Sequence, residues 1–111
     1  VVQQATQVIV ITDPKGRILY ANPAFEKTTG YTLEEVKGKN PRILQSGRHD
    51  IKFYQSLWST ITAGNTWEGT FINKKKNGEL YYEKAVIFPI QAPSGAITQF
   101  AAIKQDITRE K

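Results

Sequence analysis

Two spacings of apolar residues, every second and every third or fourth, divide the chain into predicted strands and helices. Residues 8–12 form a β-branched run that ends in the turn sequence Asp13-Pro14-Lys15-Gly16, so residues 17–20 are the expected hairpin partner. After Asp50, a suitable helix cap, apolar residues recur at helical spacing for about 14 residues, until Gly64 and Asn65. They form one apolar face, which consists of Ile51, Tyr54, Leu57, Trp58 and Ile61.

Two short helices are predicted between the hairpin and this longer helix. Asn22-Pro23 marks the start of the first, because asparagine caps helices and proline suits their first position, and Gly30 marks its end. Thr32 and Glu35 have the spacing of a capping box, which predicts a second helix that ends at Gly38.

Three longer strands follow the helices, at about residues 66–74, 80–91 and 96–107. Asn77-Gly78 and Pro93-Ser94-Gly95 are hairpin turn sequences between them. The order of two strands, three helices and three strands predicts an α+β fold. We expect a five-stranded antiparallel sheet, with the short helices and the longer one inserted between strands 2 and 3.

The last three strands are apolar on both faces, whereas a sheet with one solvated face alternates apolar and polar residues. One parity contains Trp67, Phe71, Tyr81 and Ile87 together with Asn73 and Glu83. The helices can cover only one face, so we expect a flanking helix or another protein chain on the other. The residues of this predicted partner surface are Ile72, Tyr82, Val86, Phe88, Ala101 and Ile103.

The composition excludes several classes of function. The chain has 111 residues, of which 40% are hydrophobic and 23% charged, as is typical of one soluble domain. Cysteine is absent, so thiolate catalysis, disulfides and cysteine zinc sites are excluded. His49 is the only histidine, which leaves almost no residues for histidine triads or multi-histidine metal sites, and no independent enzyme is expected. The absence of cysteine fits a reducing, cytoplasmic location. The absence of methionine leads us to expect a piece of a longer protein.

The net charge of +5 does not by itself indicate a nucleic-acid or membrane surface. Its only run, Lys74-Lys75-Lys76, precedes Asn77-Gly78 and is therefore expected at the exposed end of a hairpin. It is accompanied by no nucleic-acid-binding motif, and no apolar segment approaches the roughly 18 residues of a membrane span. We expect no nucleic-acid partner and no direct membrane contact, although the parent protein could be membrane-anchored.

Several segments, taken in order, resemble the PAS family of sensor domains. They are Val10-Ile11-Thr12-Asp13, Tyr20-Ala21-Asn22-Pro23-Ala24-Phe25, Thr29-Gly30-Tyr31, Lys75-Lys76-Asn77-Gly78 and Asp106-Ile107-Thr108. The resemblance implies a PAS domain at residues 7–108, an N-terminal flank at residues 1–6 and the start of a linker to an output domain at residues 109–111.

A PAS domain is expected to be the sensory module of a larger bacterial signalling protein, such as a histidine kinase, a cyclic-di-GMP enzyme, a chemoreceptor or a transcriptional regulator. The resemblance implies a homodimer through the outer sheet face, whose changed geometry carries the signal. Asp106 and Thr108, which end the last strand, would pass that change to the covalently linked output domain.

Residues 40–45 resemble the flavin-contacting segment of the LOV photoreceptor domains, which are PAS relatives. LOV domains place their photoreactive cysteine where this chain has Pro41, so a cysteinyl–flavin photocycle is excluded. The long helix has Gln55 and Trp58 where LOV domains carry a second phosphate-binding arginine, which weakens the case for FMN. The flavin contacts that the resemblance implies are Asn40, Arg42, Gln45, Asn73, Glu83 and Lys104. Glu83 and Lys104 replace an asparagine and a glutamine, and such charges are costly to bury unless they are paired.

The segments around Trp67 and Asn73 are similar to bacterial redox sensors of the aerotaxis-receptor and nitrogen-fixation-regulator kind, which hold FAD without the cysteine. The resemblance implies non-covalent FAD, with Trp67 and Asn73 at the ring and Glu83 as a relay into the sheet. The alternative is a cofactor-free dimerisation and relay module, in which Trp67 fills the core. A haem on His49 is not expected, because His49 precedes the helix cap and lies off the apolar face.

Overall fold

The computed structural model describes residues 7–110, so the predicted flank at residues 1–6 lies outside the described part of the chain. Five strands and three α-helices, with two 3-10 helices, follow one another along these residues. They are β1 (Val8–Thr12), β2 (Ile18–Ala21), α1 (Pro23–Thr29), α2 (Leu33–Val36), the 3-10 helix Pro41–Leu44, α3 (Ile51–Thr62), β3 (Trp67–Lys74), β4 (Leu80–Gln91), β5 (Ile97–Asp106) and the 3-10 helix Thr108–Glu110.

The strands form one antiparallel sheet in the order β2-β1-β5-β4-β3. The two ends of the chain therefore pair in the middle of the sheet, through β1 and β5. The three helices lie in the connection from β2 to β3, which are the two edge strands. This arrangement confirms the predicted α+β fold and the long helix between strands 2 and 3.

The helices start where their capping residues predict. Asn22 Oδ1 accepts a hydrogen bond from the Phe25 N–H at 3.1 Å and another from the Ile9 N–H, which ties α1 to β1. Thr32 forms the predicted capping box of α2, and Asp50 Oδ1 caps α3.

Two helices end earlier than predicted. Helix α2 stops at Val36, because Lys37 adopts an extended conformation with ψ of 129°. Helix α3 has 12 residues instead of about 14, because the chain leaves it at Ala63 ahead of Gly64, whose φ is 91°. The sequence pattern also missed the 3-10 helix Pro41–Leu44, which Asn40 caps.

The strand register separates two faces of the sheet. Trp67 pairs with Ile87 and Asn73 with Tyr81, so these residues face the helices and form one side of the core. The other parity pairs Ile72 with Tyr82, Val86 with Ile103, and Phe88 with Ala101, which are the six residues of the predicted partner surface. Ala101 differs from the other five, because it is buried in the single chain and is one of the residues that line the cavity on the inner side. Strand β1 extends this outer face with Ile9 and Ile11. In the contacts between elements, α1 packs on β1, α2 on β2 and α3 on β3 and β4, while the 3-10 helix Thr108–Glu110 contacts β4.

Candidate functional site

A cavity of about 120 Å³ lies between the inner face of the sheet and helix α3. Its walls are mainly apolar, and they come from every layer of the fold. The apolar lining includes Val10, Leu44, Leu57, Ile61, Phe71, Ile87, Phe100 and Ala102, and the polar lining includes Asn40, Arg42, Gln45, Asn73 and Lys104. Five of the seven predicted cofactor residues therefore line one cavity.

A buried polar cluster forms one end of the cavity. Glu83, the sixth predicted residue, is completely buried and lies behind the lining. Its Oε1 atom accepts a hydrogen bond from Asn73 Nδ2 at 3.1 Å, and Lys104 Nζ lies 3.6 Å from the same oxygen. The three residues come from the adjacent strands β3, β4 and β5, so the sheet holds an amide, a carboxylate and an ammonium side by side.

This end of the fold contains more hydrogen-bonding groups than the described residues satisfy. Glu83 Oε2, the Tyr81 hydroxyl and the Tyr54 hydroxyl are buried without a hydrogen-bond partner. Burial raises the pKa of Tyr81, and the negative charge of Glu83 raises it further. Burial also raises the pKa of Tyr54, whose side chain lines the cavity. Buried polar atoms without partners are uncommon in folded proteins, and of these three residues only Tyr54 lines the cavity, where a bound polar ligand could reach its hydroxyl.

The mouth of the cavity lies between the β1–β2 turn, the 3-10 helix and α3. Asn40 Oδ1 accepts a hydrogen bond from the Arg42 N–H at 2.9 Å, which fixes the start of the 3-10 helix. Asn40 therefore satisfies a backbone group as well as lining the cavity. The neighbouring Gln45 is exposed and forms an isolated β-bridge with Asn73, which joins the mouth to the polar cluster.

The charge of the lining favours an anion. Its two charged residues are Arg42 and Lys104, and the lining contains no carboxylate. Glu83 compensates Lys104 from behind, whereas Arg42 is exposed and forms no ion pair with any residue that the structure describes. A ligand with an apolar ring and an anionic tail matches this distribution.

Trp67, the seventh predicted residue, does not line the cavity. Its indole ring lies over Gly69, where a Cβ atom would come within 2.5 Å of it. It also packs against Phe71 and Phe53, with ring centroids 5.2 and 5.5 Å apart. The structure thus places Trp67 in an aromatic cluster beside the cavity.

His49 belongs to the same aromatic cluster. Its ring stacks on Phe53 at 3.8 Å, and its Nε2 atom accepts a hydrogen bond from the Ile72 N–H at 2.8 Å. Burial lowers the pKa of His49, which suits an acceptor that must stay neutral. The ring closes the edge of β3 and does not face the cavity.

Trp58 is the lining residue that the sequence pattern misplaced. Its place on the apolar face of α3 predicted a core position, but 37% of it is exposed and it lies at the cavity mouth. The resemblance offered a signal, because Trp58 stands near the position where LOV domains have a phosphate-binding arginine. Its indole makes an edge-on contact with Phe100, at 5.7 Å between centroids.

The end of β5 is attached to the same part of the sheet. Asp106 pairs with Glu83 across the strands. Asp106 Oδ1 accepts hydrogen bonds from the Thr108 N–H and hydroxyl at 2.9 and 2.5 Å, and Thr108 Oγ1 accepts one from the Tyr82 N–H at 3.0 Å. The two predicted relay residues therefore hold the end of β5 in place, with Asp106 on the same rung as Glu83 of the polar cluster.

Two general features bear on the kind of site. Of the helices within residues 7–110, none combines the length and the apolar character that crossing a lipid bilayer requires. Likewise, that part of the chain has no group of three or more histidine or carboxylate side chains placed to hold a metal ion.

Known proteins are similar to this chain in sequence and in fold. A nitrogen fixation regulatory protein of Klebsiella oxytoca is 37% identical over 107 residues, which are 96% of this chain and 22% of that protein. A blue-light-activated histidine kinase of Brucella canis is 36% identical over 97 residues, which are 87% of this chain and 20% of that protein. This chain thus spans about a fifth of the length of these relatives.

The structural comparison agrees with the sequence comparison. A solved Light-Oxygen-Voltage domain, studied with a flavin analogue, superposes with a TM-score of 0.86 and 27% identity. The match covers 96% of this chain and 81% of that one. The sequence model described as PAS domain matches residues 6–109. The chain therefore belongs to the PAS domain family and is a sensory module of the kind found in larger signalling proteins.

Proposed function

We propose that this PAS domain binds a flavin nucleotide, FAD, in the cavity and responds to its redox state. The observation that carries the proposal is the lining itself: apolar walls, one polar end formed by Asn73 and Lys104, and an unpaired arginine at the mouth. An isoalloxazine ring has an apolar part and an edge of donors and acceptors, and its nucleotide tail is anionic. The likeness to a Light-Oxygen-Voltage domain studied with a flavin analogue supports the same assignment.

The donor set of the cavity fits such a ring. Asn73 and Gln45 offer amides that both donate and accept, and Lys104 adds a cationic donor. The volume is the constraint, because about 120 Å³ is slightly less than a cavity of about 150 Å³ that accepts benzene. Binding a three-ring system therefore requires the cavity to widen, and its exposed mouth is where it has room to do so.

A bound flavin supplies reversible electron transfer coupled to protonation of its ring. The chain's contribution is the polar cluster, in which Glu83 Oε1 receives both the Asn73 amide and the Lys104 ammonium. Asn73 would hold the polar edge of the ring, and a change in the hydrogen bonding of that edge would reorient the Asn73 amide and so alter its hydrogen bond to Glu83. Asp106 pairs with Glu83 across the strands and accepts a hydrogen bond from the Thr108 N–H. A change in the position of Glu83 could therefore be passed through Asp106 to the segment that follows β5.

The outer sheet face is the proposed partner surface. Tyr82, Val86, Phe88 and Ile103 are only half-buried in the single chain, together with Ile9 and Ile11 on β1. Apolar side chains on an exposed sheet face mark interaction sites, and here one polar row of Thr70, Lys84 and Gln105 crosses the face between Tyr82 and Val86. We propose that a second copy of the chain covers it in a cytoplasmic homodimer, and that a covalently linked output domain reads the geometry of the pair.

Filling the cavity tests whether flavin binds there. Ala102 is 8% exposed and lines the cavity between Val10 and Ile87 on the same rung, so Ala102→Leu places extra atoms in the space the ring needs. Ala24 on α1 is 6% exposed and outside the lining, which makes Ala24→Leu a matched control for overpacking. After incubation with FAD and desalting, we expect the wild type and Ala24→Leu to retain flavin absorbance and Ala102→Leu to lose it. Equal retention by both variants would contradict the assignment.

The small volume also favours a second candidate, a cofactor-free relay module. In that case the contacts of Glu83 Oε1 with Asn73 and Lys104 form a permanent structural cluster. The wild-type protein would then remain colourless after incubation with FAD, and its stability would not change on adding it, whereas a bound ligand raises the free energy of unfolding.

A further inference from the structure

We infer that Trp58 and Arg42 together select a flavin dinucleotide over a mononucleotide, with Trp58 as the platform for the second aromatic base. The inference rests on the proposed function and adds the specificity-determining residues at the cavity mouth. It assigns the phosphate contact to Arg42 and the base contact to Trp58, neither of which belongs to the polar cluster at the other end.

Trp58 is unusual for a residue on the apolar face of a core helix. It lines the cavity and is also 37% exposed, so one indole ring faces both the cavity mouth and solvent. Its one aromatic contact among the described residues is edge-on, at an interplanar angle of 89° to Phe100. An indole in this position provides a surface on which a nucleobase stacks, and such stacking tolerates any base because every base has a π face.

The protein holds this ring in place from the β1–β2 turn. A Cβ atom at Gly16 would lie 3.0 Å from Trp58 Cη2 and 3.2 Å from Asn40 Nδ2, so Gly16 is where the two side chains meet. Gly16 also has a φ of +86°, a conformation that glycine adopts without strain. The turn thus packs against both the indole and the residue that caps the 3-10 helix.

Arg42 belongs to the same rim, two residues beyond Asn40, whose side chain receives the Arg42 N–H. It is the only cation of the lining that has no carboxylate partner within the described residues. A guanidinium binds phosphate oxygens in pairs. A pyrophosphate at Arg42 would leave the second nucleoside beside Trp58, whereas the tail of a mononucleotide ends at the arginine.

The test compares three flavins that share one ring system. The chain is titrated with FAD, FMN and riboflavin, and flavin fluorescence anisotropy gives each dissociation constant. We expect FAD to bind about tenfold more tightly than FMN, as one base stacked on an aromatic side chain provides. Trp58→Ala should remove this preference while riboflavin affinity stays within about twofold, since riboflavin does not reach the rim. Trp58→Phe should restore part of it.

Arg42→Gln separates the phosphate contact from the stacking contact. It should weaken FAD and FMN together and leave riboflavin unchanged. Ser59→Ala, on the exposed side of the same helix and outside the lining, is the control and should alter none of the three. Unchanged riboflavin binding shows that each variant is folded.

Two results overturn the inference and leave the flavin assignment intact: equal affinity of the wild type for FAD and FMN, or a preference for FAD that survives Trp58→Ala. A wild-type protein that binds none of the three flavins overturns the proposed function and this inference with it.

Discussion

The ion pair between Glu83 and Lys104 provides a quantitative prediction about what holds the polar cluster together. The side chains of Glu83 and Lys104 are 1% and 6% exposed, and Nζ and Oε1 are 3.6 Å apart. At an effective dielectric constant of about 20, two unit charges at this separation attract one another by about 5 kcal/mol. Desolvation of both groups offsets much of that attraction, so the intact pair contributes little net stability.

Removing one partner has a different effect, because it leaves the other charge buried and uncompensated. We expect Lys104→Met to lower the free energy of unfolding by about 3–5 kcal/mol, and Glu83→Gln by a similar amount. This is a large part of the 5–15 kcal/mol typical of a domain. The double variant has no buried charge that lacks a partner, so its free energy of unfolding should be within about 2 kcal/mol of that of the wild type.

The assay is equilibrium unfolding in urea at pH 7 of the wild type, both single variants and the double variant. The coupling energy from this cycle should be about 3 kcal/mol or more. Its sign should be such that the double variant loses less free energy of unfolding than the two single variants lose in sum. Glu35 and Lys76 form the matched surface pair, with side chains 39% and 51% exposed, and their cycle should show a far smaller coupling. Additive losses at Glu83 and Lys104 would refute the account of the cluster as a dry ion pair.

Three further predictions concern His49 at the edge of β3, the outer sheet face and the cavity mouth. Burial lowers the pKa of His49 below its ordinary 6.5, so the folded state binds fewer protons than the unfolded state. The contribution of His49 to the free energy of unfolding should be complete above pH 6.5 and should fall as the pH drops towards the lowered pKa of the folded state. Urea midpoints measured across this pH range should show the dependence for the wild type and not for His49→Gln. Val86→Glu should dissociate the proposed dimer in sedimentation, whereas Ile51→Glu, on a helix residue 71% exposed on the other side of the sheet, should not. Gly16→Ala should destabilise the fold by about 1–2 kcal/mol, and more than Gly38→Ala, because both have positive φ but only at Gly16 does a Cβ meet a side chain, 3.0 Å away.

Each of these has a clear contrary result. A pH dependence that persists in His49→Gln would assign the titration to another group. A dimer that survives Val86→Glu would remove the outer face as its interface. Equal losses of unfolding free energy in Gly16→Ala and Gly38→Ala would show that the Trp58 indole can move away from a Cβ at position 16 without destabilising the fold.

The sheet was predictable from sequence because its rules are local. Alternation along each strand fixes which residues share a face, and turn sequences such as Asn77-Gly78 fix the register between neighbours. The register therefore pairs residues that the pattern assigned to the same face, such as Val86 with Ile103 and Phe88 with Ala101. The caps Asn22 and Asp50 were equally local.

The cavity was only partly predictable, because its shape depends on packing between elements far apart in the chain. The resemblance named five residues that line it, and the cost of burying isolated charges anticipated that Glu83 and Lys104 would have to be paired. Helical spacing predicted a core position for Trp58, but spacing says nothing about where the opposing sheet ends and the mouth begins. Trp67 shares its sheet face with cavity residues, yet its ring turns over Gly69 and away from the cavity.

The central claim is that the cavity holds a flavin, and a visible absorption spectrum tests it most directly. The purified protein is incubated with FAD, desalted and measured before and after addition of dithionite. The account predicts flavin bands that stay with the protein through desalting and bleach on reduction. A spectrum without those bands after incubation with FAD would contradict it.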